Sequence, residues 1–137
     1  MKMKKYQINC PYCGSPAQCR PASMVHRNST LEKGRYLYVC SRWPECDAYV
    51  AAHKASKRPM GTLANGNLRH KRILAHHALE EFQRAQHMEK WAVYLWLQGK
   101  LGLYEEQAHI GLFSGQMCDH VVSLCHQAIE NYPQMTA

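Results

Sequence analysis

Cys10-Pro11-Tyr12-Cys13-Gly14 and, 26 residues further on, Cys40-Ser41-Arg42-Trp43-Pro44-Glu45-Cys46 decide how this sequence folds. A Cys-x-x-Cys pair followed by glycine makes a tight knuckle: both thiolates face one ion, backbone amides support the sulfurs, and the glycine relieves the turn. The second pair encloses five residues, a longer loop that Pro44 stiffens. A hairpin between the pairs brings four thiols together. Tetrahedral thiolate coordination favours zinc over harder ions, and four protein ligands with no open position make a structural site. The spacing therefore predicts a zinc ribbon holding one structural zinc on Cys10, Cys13, Cys40 and Cys46. A redox Cys-x-x-Cys would need a helix after it, which Gly14-Ser15-Pro16 opposes. Cys19 stands near enough to be a spare ligand, but its strand-like run favours a small buried side chain.

Outward from the cysteines, residues 17–26, 36–39 and 48–52 read as strands, with Arg27-Asn28-Ser29-Thr30 and Gly34 as a turn between the first two. The breakers Pro59, Gly61, Asn65 and Gly66 mark a boundary, beyond which the pattern turns helical. Leu68, Ala75, Ala78, Leu79 and Phe82 share one face of a helix over about residues 67–83. A second helix, about 88–98, is apolar nearly all round through Trp91, Val93, Leu95, Trp96 and Leu97, which implies burial on more than one side. Gly99 and Gly102 end it. A third runs from the N-cap Ser114 to Asn131, with Met117, Cys118, Val121, Leu124, Cys125 and Ala128 as its stripe and Pro133 beyond it. The expected architecture is α+β: a basic tail (1–8), a zinc ribbon (9–58) and a helical lobe of about three helices (59–137).

The chain has 137 residues, 17 Lys+Arg against 10 Asp+Glu, and 7 Cys. Residues 1–61 hold 11 Lys+Arg and 3 Asp+Glu, net +8, and residues 62–137 hold 6 and 7, net −1. Such a field attracts phosphate backbones or acidic protein faces, and it excludes mimicry of DNA by negative charge. The cations Arg20, Arg27, Lys33, Arg35, Arg42, Lys54, Lys57 and Arg58 alternate with Tyr6, Tyr12, Tyr36, Tyr38, Trp43 and Tyr49, a composition that can stack bases while cations take phosphates. Arg69, Lys71 and Arg72 would extend the patch. The bland reading is that these aromatics fill a small core and the cations solvate it. With no base-reading helix motif, direct binding should be weakly sequence-selective. No window approaches the roughly 18 apolar residues of a membrane span, and no apolar segment follows the amino-terminal lysines. A soluble, non-secreted protein without membrane partners is expected.

Nine histidines invite a second metal site from His76, His77, His109, Cys118 and His120. Adjacent histidines point about 100° apart on a helix, so the spacing does not demand one. A nucleophile built on Cys118 or Cys125 with His109 or His126 is opposed by the packed stripe that holds both cysteines. With no paired carboxylates, phosphate-cradling glycine loop or His-Glu-x-x-His, the sequence points to a protein that is not an enzyme.

The stretch from Cys10 to Ala17, with Tyr38-Val39-Cys40 and Trp43-Pro44-Glu45-Cys46-Asp47-Ala48-Tyr49-Val50, resembles the zinc ribbons at the ends of type IA DNA topoisomerases. It is more similar still to a family of small zinc-finger proteins encoded by bacteriophages. There the likeness extends to Gly61-Thr62-Leu63-Ala64-Asn65, Tyr94-Leu95-Trp96-Leu97 and His109-Ile110-Gly111-Leu112-Phe113, about residues 9–125 in all. The chain departs from the pattern at Ala52, and in carrying Cys19 and Cys125. The resemblance implies a mobile-element origin and a task near nucleic acid in the cytoplasm of a bacterial host, without naming a reaction. The leading specific expectation is an anti-CRISPR inhibitor that binds a CRISPR effector nuclease and blocks its DNA engagement. The alternative is an accessory protein that binds DNA or RNA directly.

Overall fold

The computed structural model describes residues 7–26 and 34–131. Arg27, Lys33, Tyr6, the turn at 27–30 and the tail through Lys5 lie outside the described residues. Three strands, β1 (Ala17–Pro21), β2 (Tyr36–Cys40) and β3 (Tyr49–Ala51), precede three helices, α1 (Gly66–Gln86), α2 (Lys90–Leu101) and α3 (Gly115–Asn131). The fold is α+β. It divides into two compact units, the first ending at Asn67 and the second beginning at Leu68.

In the first unit the strands form one antiparallel sheet in sequence order, with Cys19 opposite Tyr38 and Tyr38 opposite Val50. Side chains alternate across a strand, so this register sorts them into two small cores. Tyr38, Cys40, Ala48, Val50, Ala52 and Leu63 gather with Cys10 on one side, whereas Leu37, Val39 and Ala22 gather on the other with Trp43, Tyr49 and Ala51 against them. The strand expected over 17–26 stops at Pro21, and residues 22–24 form a single 3-10 turn instead. Pro21 has no amide hydrogen for the ladder, and Ala22 N–H donates to the Arg35 carbonyl at 2.8 Å. The segment after Pro59, expected to open the helical lobe, returns to the sheet. Pro59 bridges Ala52, and Ala64 bridges Tyr49 through paired bonds of 2.9 and 3.0 Å. Leu63, 1% exposed, fills the zinc-side core, which is why the unit extends to Asn67.

In the second unit Ala75, Ala78, Leu79 and Phe82 of α1 pack with Val93 and Leu97 of α2, with Ile110 and Phe113 of the connecting segment, and with Cys118, Val121, Cys125 and Ala128 of α3. Phe82 and Trp96 stack with ring centroids 4.2 Å apart. Helix α2 ends at Gly102, whose φ of +66° only glycine adopts without strain. Ser114 caps α3: its hydroxyl oxygen accepts the Met117 N–H at 3.2 Å. Burial of α2 on more than one side does not hold. Val93 and Leu97 are buried, but Trp91 is 70% and Leu95 58% exposed.

Candidate metal centre and nucleic-acid face

Residues 8–17 make the first knuckle. Ala17 N–H donates to the Ile8 carbonyl, Cys10 N–H to Ser15, and Gly14 N–H back to Cys10 at 2.9 Å. Gly14 takes a φ of +76°, the left-handed turn its place in the motif requires. The second pair is built differently. Cys40 ends β2, and residues 41–46 wrap back so that Trp43 N–H reaches the Cys40 carbonyl at 2.9 Å and Cys46 N–H the Arg42 carbonyl at 3.0 Å. A longer loop suffices here because the strand end already fixes Cys40.

The four sulfurs meet. Cys10 and Cys46 Sγ lie 3.5 Å apart, as do Cys13 and Cys40 Sγ, and all four fall within 4.8 Å of one another. Zn–S bonds of about 2.3 Å at tetrahedral angles separate sulfurs by about 3.8 Å, inside that range. The donors therefore fit one zinc ion, with Cys10 and Cys40 buried, Cys46 half-buried and Cys13 exposed. Their acidities differ by location. Hydrogen bonds from Ser15 bring Cys13 down to about 6, whereas burial pushes Cys40 up to about 12. Cys13 is thus ready as a thiolate near neutral pH, and Cys40 gives up its proton only to the metal. Cys19 lies on the same side of the sheet, half-buried among Tyr36, Tyr38 and the zinc-side core, and the group of four does not include it.

A zinc-finger-containing domain family, DUF3268, has a model that matches residues 6–128. The chain belongs to this family. No curated protein and no solved structure matches it. The DUF3268 match spans both units and includes all four clustered cysteines.

The cations of this domain fall into distinct settings. Lys57, with a φ of +62°, folds back over the sheet. Its ammonium sits 4.5 Å above the Tyr36 ring and donates to the carbonyls of Lys54 (3.0 Å) and Gly34 (3.3 Å), while Tyr38 OH donates to the Lys57 carbonyl. Lys57 is a strut. Lys54 and Arg58 are exposed beside it, and Arg35 is half-buried. Arg20 is exposed on the sheet face opposite the zinc, its guanidinium donating to the Gln18 side-chain oxygen. Arg42 is exposed in the zinc loop, next to Trp43. On that same opposite face Tyr49 meets His26 and Trp43 edge-on, centroids 5.6 and 6.0 Å apart, all three half-buried.

The aromatics divide in the same way. Tyr38 is 3% exposed and belongs to the core, whereas Tyr12 is exposed and its hydroxyl accepts the Asn65 N–H. In the helical unit the patch expected of Arg69, Lys71 and Arg72 loses two members to internal work. Arg72 is buried and donates to the Phe113 carbonyl at 3.3 and 3.4 Å, and Lys71 pairs with Asp119 at 2.8 Å. Arg69 is half-buried.

Sequence reasoning missed Arg72 as a core residue, although it recurs at helical spacing with Leu68, Ala75 and Leu79. It also missed His26 as an aromatic neighbour of Tyr49. Cys118 and Cys125 are fully buried, and burial raises both thiols, Cys125 to about 11, so neither is poised as a nucleophile.

Proposed function

We propose that this zinc-finger-containing domain is a non-enzymatic binding module that acts on a nucleic-acid-processing complex in the cytoplasm of a bacterial host, and that it contacts nucleic acid directly. The observation carrying this reading is the face opposite the zinc, which holds the half-buried rings of Trp43, Tyr49 and His26 and, on the edge strand of the same face, the exposed Arg20. Such rings stack on unpaired bases without regard to sequence, and arginines take the phosphates between them. The net charge of +7 adds long-range attraction. Zinc fixes the scaffold and takes no part in chemistry. The likeness to phage-encoded proteins supports a second target for the same positive field, a CRISPR effector nuclease inhibited by occupancy of its DNA path.

One titration separates the targets. Zinc-loaded protein is added to fluorescent single- and double-stranded DNA and RNA at low and physiological salt, following anisotropy. Direct binding gives sub-micromolar affinity that survives physiological salt with a steep salt slope. Arg20→Ala lowers that affinity and the slope, and Trp43→Ala costs about fivefold or more, since a stacked base is worth about 1–3 kcal/mol. Binding that is absent, or erased by salt, overturns direct contact and moves the search to the effector nuclease.

A further inference from the structure

Helix α2 carries an outward face that the core does not use. Trp91 and Leu95, one helical turn apart, are 70% and 58% exposed, and a Cβ added at Gly99, one turn further, would meet nothing within 4 Å. At 100° per residue these three fall within an arc of about 80° and span about 12 Å of helix. The only charged residues of α2, Lys90 and Lys100, lie outside that arc. The three-residue face itself is therefore free of charge.

The order of sizes on this face, large, intermediate and none, identifies what covers it. Read backwards, it is its own complement. A second copy packed antiparallel about a two-fold axis through Leu95 sets Trp91 of each chain against Gly99 of the other, and Leu95 against Leu95. A parallel pairing would instead oppose Trp91 to Trp91 and leave a gap between the glycines. Glycine also lets two helices approach toward the short end of the usual 8–10 Å interaxial distance. We propose that α2 is the isologous interface of a homodimer in which each Trp91 fills the space over the partner's Gly99.

The face is small. Trp91 offers on the order of 150 Å² and Leu95 somewhat less. With their rims, two copies bury about 800–1,000 Å² in total, at or below the low end of specific interfaces. The dimer is accordingly weak and forms at high protein concentration.

Sedimentation equilibrium from about 1 µM to about 500 µM tests the proposal. The expected result is a concentration-dependent rise from 15.8 kDa toward twice that mass. Trp91→Ala and Gly99→Leu should each weaken association at least tenfold. Both positions face outward, so thermal melts should match the parent chain within a few degrees and separate loss of dimer from loss of fold. The reciprocal variant Trp91→Gly/Gly99→Trp exchanges the two halves of the contact and should recover association that either single change removes. A parent chain that stays monomeric throughout overturns the proposal. So does a reciprocal variant as monomeric as the singles, or a Trp91→Ala chain that dimerises normally while losing affinity for nucleic acid.

Discussion

Consider replacing Cys46 with serine. The change removes one of four sulfurs and leaves the other three within 4.8 Å of one another without a closed tetrahedron. Structural zinc in small domains contributes on the order of 10 kcal/mol of apparent binding free energy at neutral pH, comparable with the entire net stability of an ordinary domain, about 5–15 kcal/mol. The ribbon has little to set against that loss. Its large buried apolar side chains are Leu37, Tyr38, Val39, Val50 and Leu63, split between two separate cores. The expected outcome is therefore unfolding of the first unit and not a modest shift in its melting point. The helical core contains none of the four ligands, and α2, α3 and all but two residues of α1 lie in the second unit. Most of the ellipticity at 222 nm should survive. Metal analysis should fall from one zinc per chain to well below one, and in amide correlation spectra the dispersed resonances of Tyr38, Val39, Cys40 and Val50 should collapse while those of Val93, Leu97 and Val121 keep their positions. Chelation of zinc from the parent chain should reproduce the pattern. The reasoning is refuted if Cys46→Ser keeps a dispersed ribbon spectrum without metal, or if the helical resonances collapse in the same step.

Zinc affinity should strengthen as pH rises through neutrality, because the metal takes thiolates. Cys13, near 6 without metal, is already largely ionised at pH 7, while Cys40, near 12, releases its proton on binding; below about pH 6 protons compete for Cys13 as well, so affinity should fall more steeply there, as competition with a chromophoric chelator at several pH values will show. Toward a thiol-specific reagent the zinc-loaded protein should leave Cys118 and Cys125 unmodified, since both are 0% exposed with raised pKa, and Cys19 should be the first residue labelled; fast labelling of Cys125 in a folded chain would contradict the packing. Arg72→Met should cost about 1–3 kcal/mol, because it strips the Phe113 carbonyl of a buried donor, whereas Lys71→Ala breaks a pair whose side chains are 32% and 62% exposed and should cost under about 1 kcal/mol. Thermal melts of the two variants measure the contrast.

What could be read before the structure was known is what local sequence controls. The cysteine spacing named the ligands because a knuckle needs only neighbouring residues, and Leu68, Ala75 and Phe82 revealed α1 because its core face recurs every two turns. Ser114 and Gly102 marked helix ends through their own chemistry, whereas Gly99, read with Gly102 as ending the second helix, lies inside α2. The failures are non-local. Nothing within the segment after Pro59 says that Leu63 will fill a gap in a sheet made by residues 36–52, so its breakers read as a linker. Arg72 counted as a surface cation because an arginine in isolation belongs in water, and its burial depends on a carbonyl 41 positions away. Helix α2 misled for a different reason. Apolar residues all round a helix signal burial on all sides, but a chain of this size has too few partners to cover them, so Trp91 and Leu95 stay outside.

The zinc loop also limits what binding experiments on metal-free protein can mean. Trp43 belongs to the segment that turns Cys40 toward Cys46, and its ring lies on the opposite face of the sheet against Tyr49. One loop thus closes the metal site and builds the face proposed for nucleic acid. Removing zinc should free the loop and take Trp43 away from Tyr49 whether or not any nucleotide approaches the metal. Loss of affinity on chelation therefore cannot distinguish a zinc-contacting ligand from a stacked one, and Trp43 variants carry the same ambiguity in milder form. Arg20 does not share it. It stands on β1, outside both knuckles, and its guanidinium donates to the Gln18 side chain two positions back on the same strand. An Arg20→Ala chain that retains a full complement of zinc yet binds nucleic acid more weakly would place the contact on that face independently of the metal, which makes it the more informative of the two substitutions.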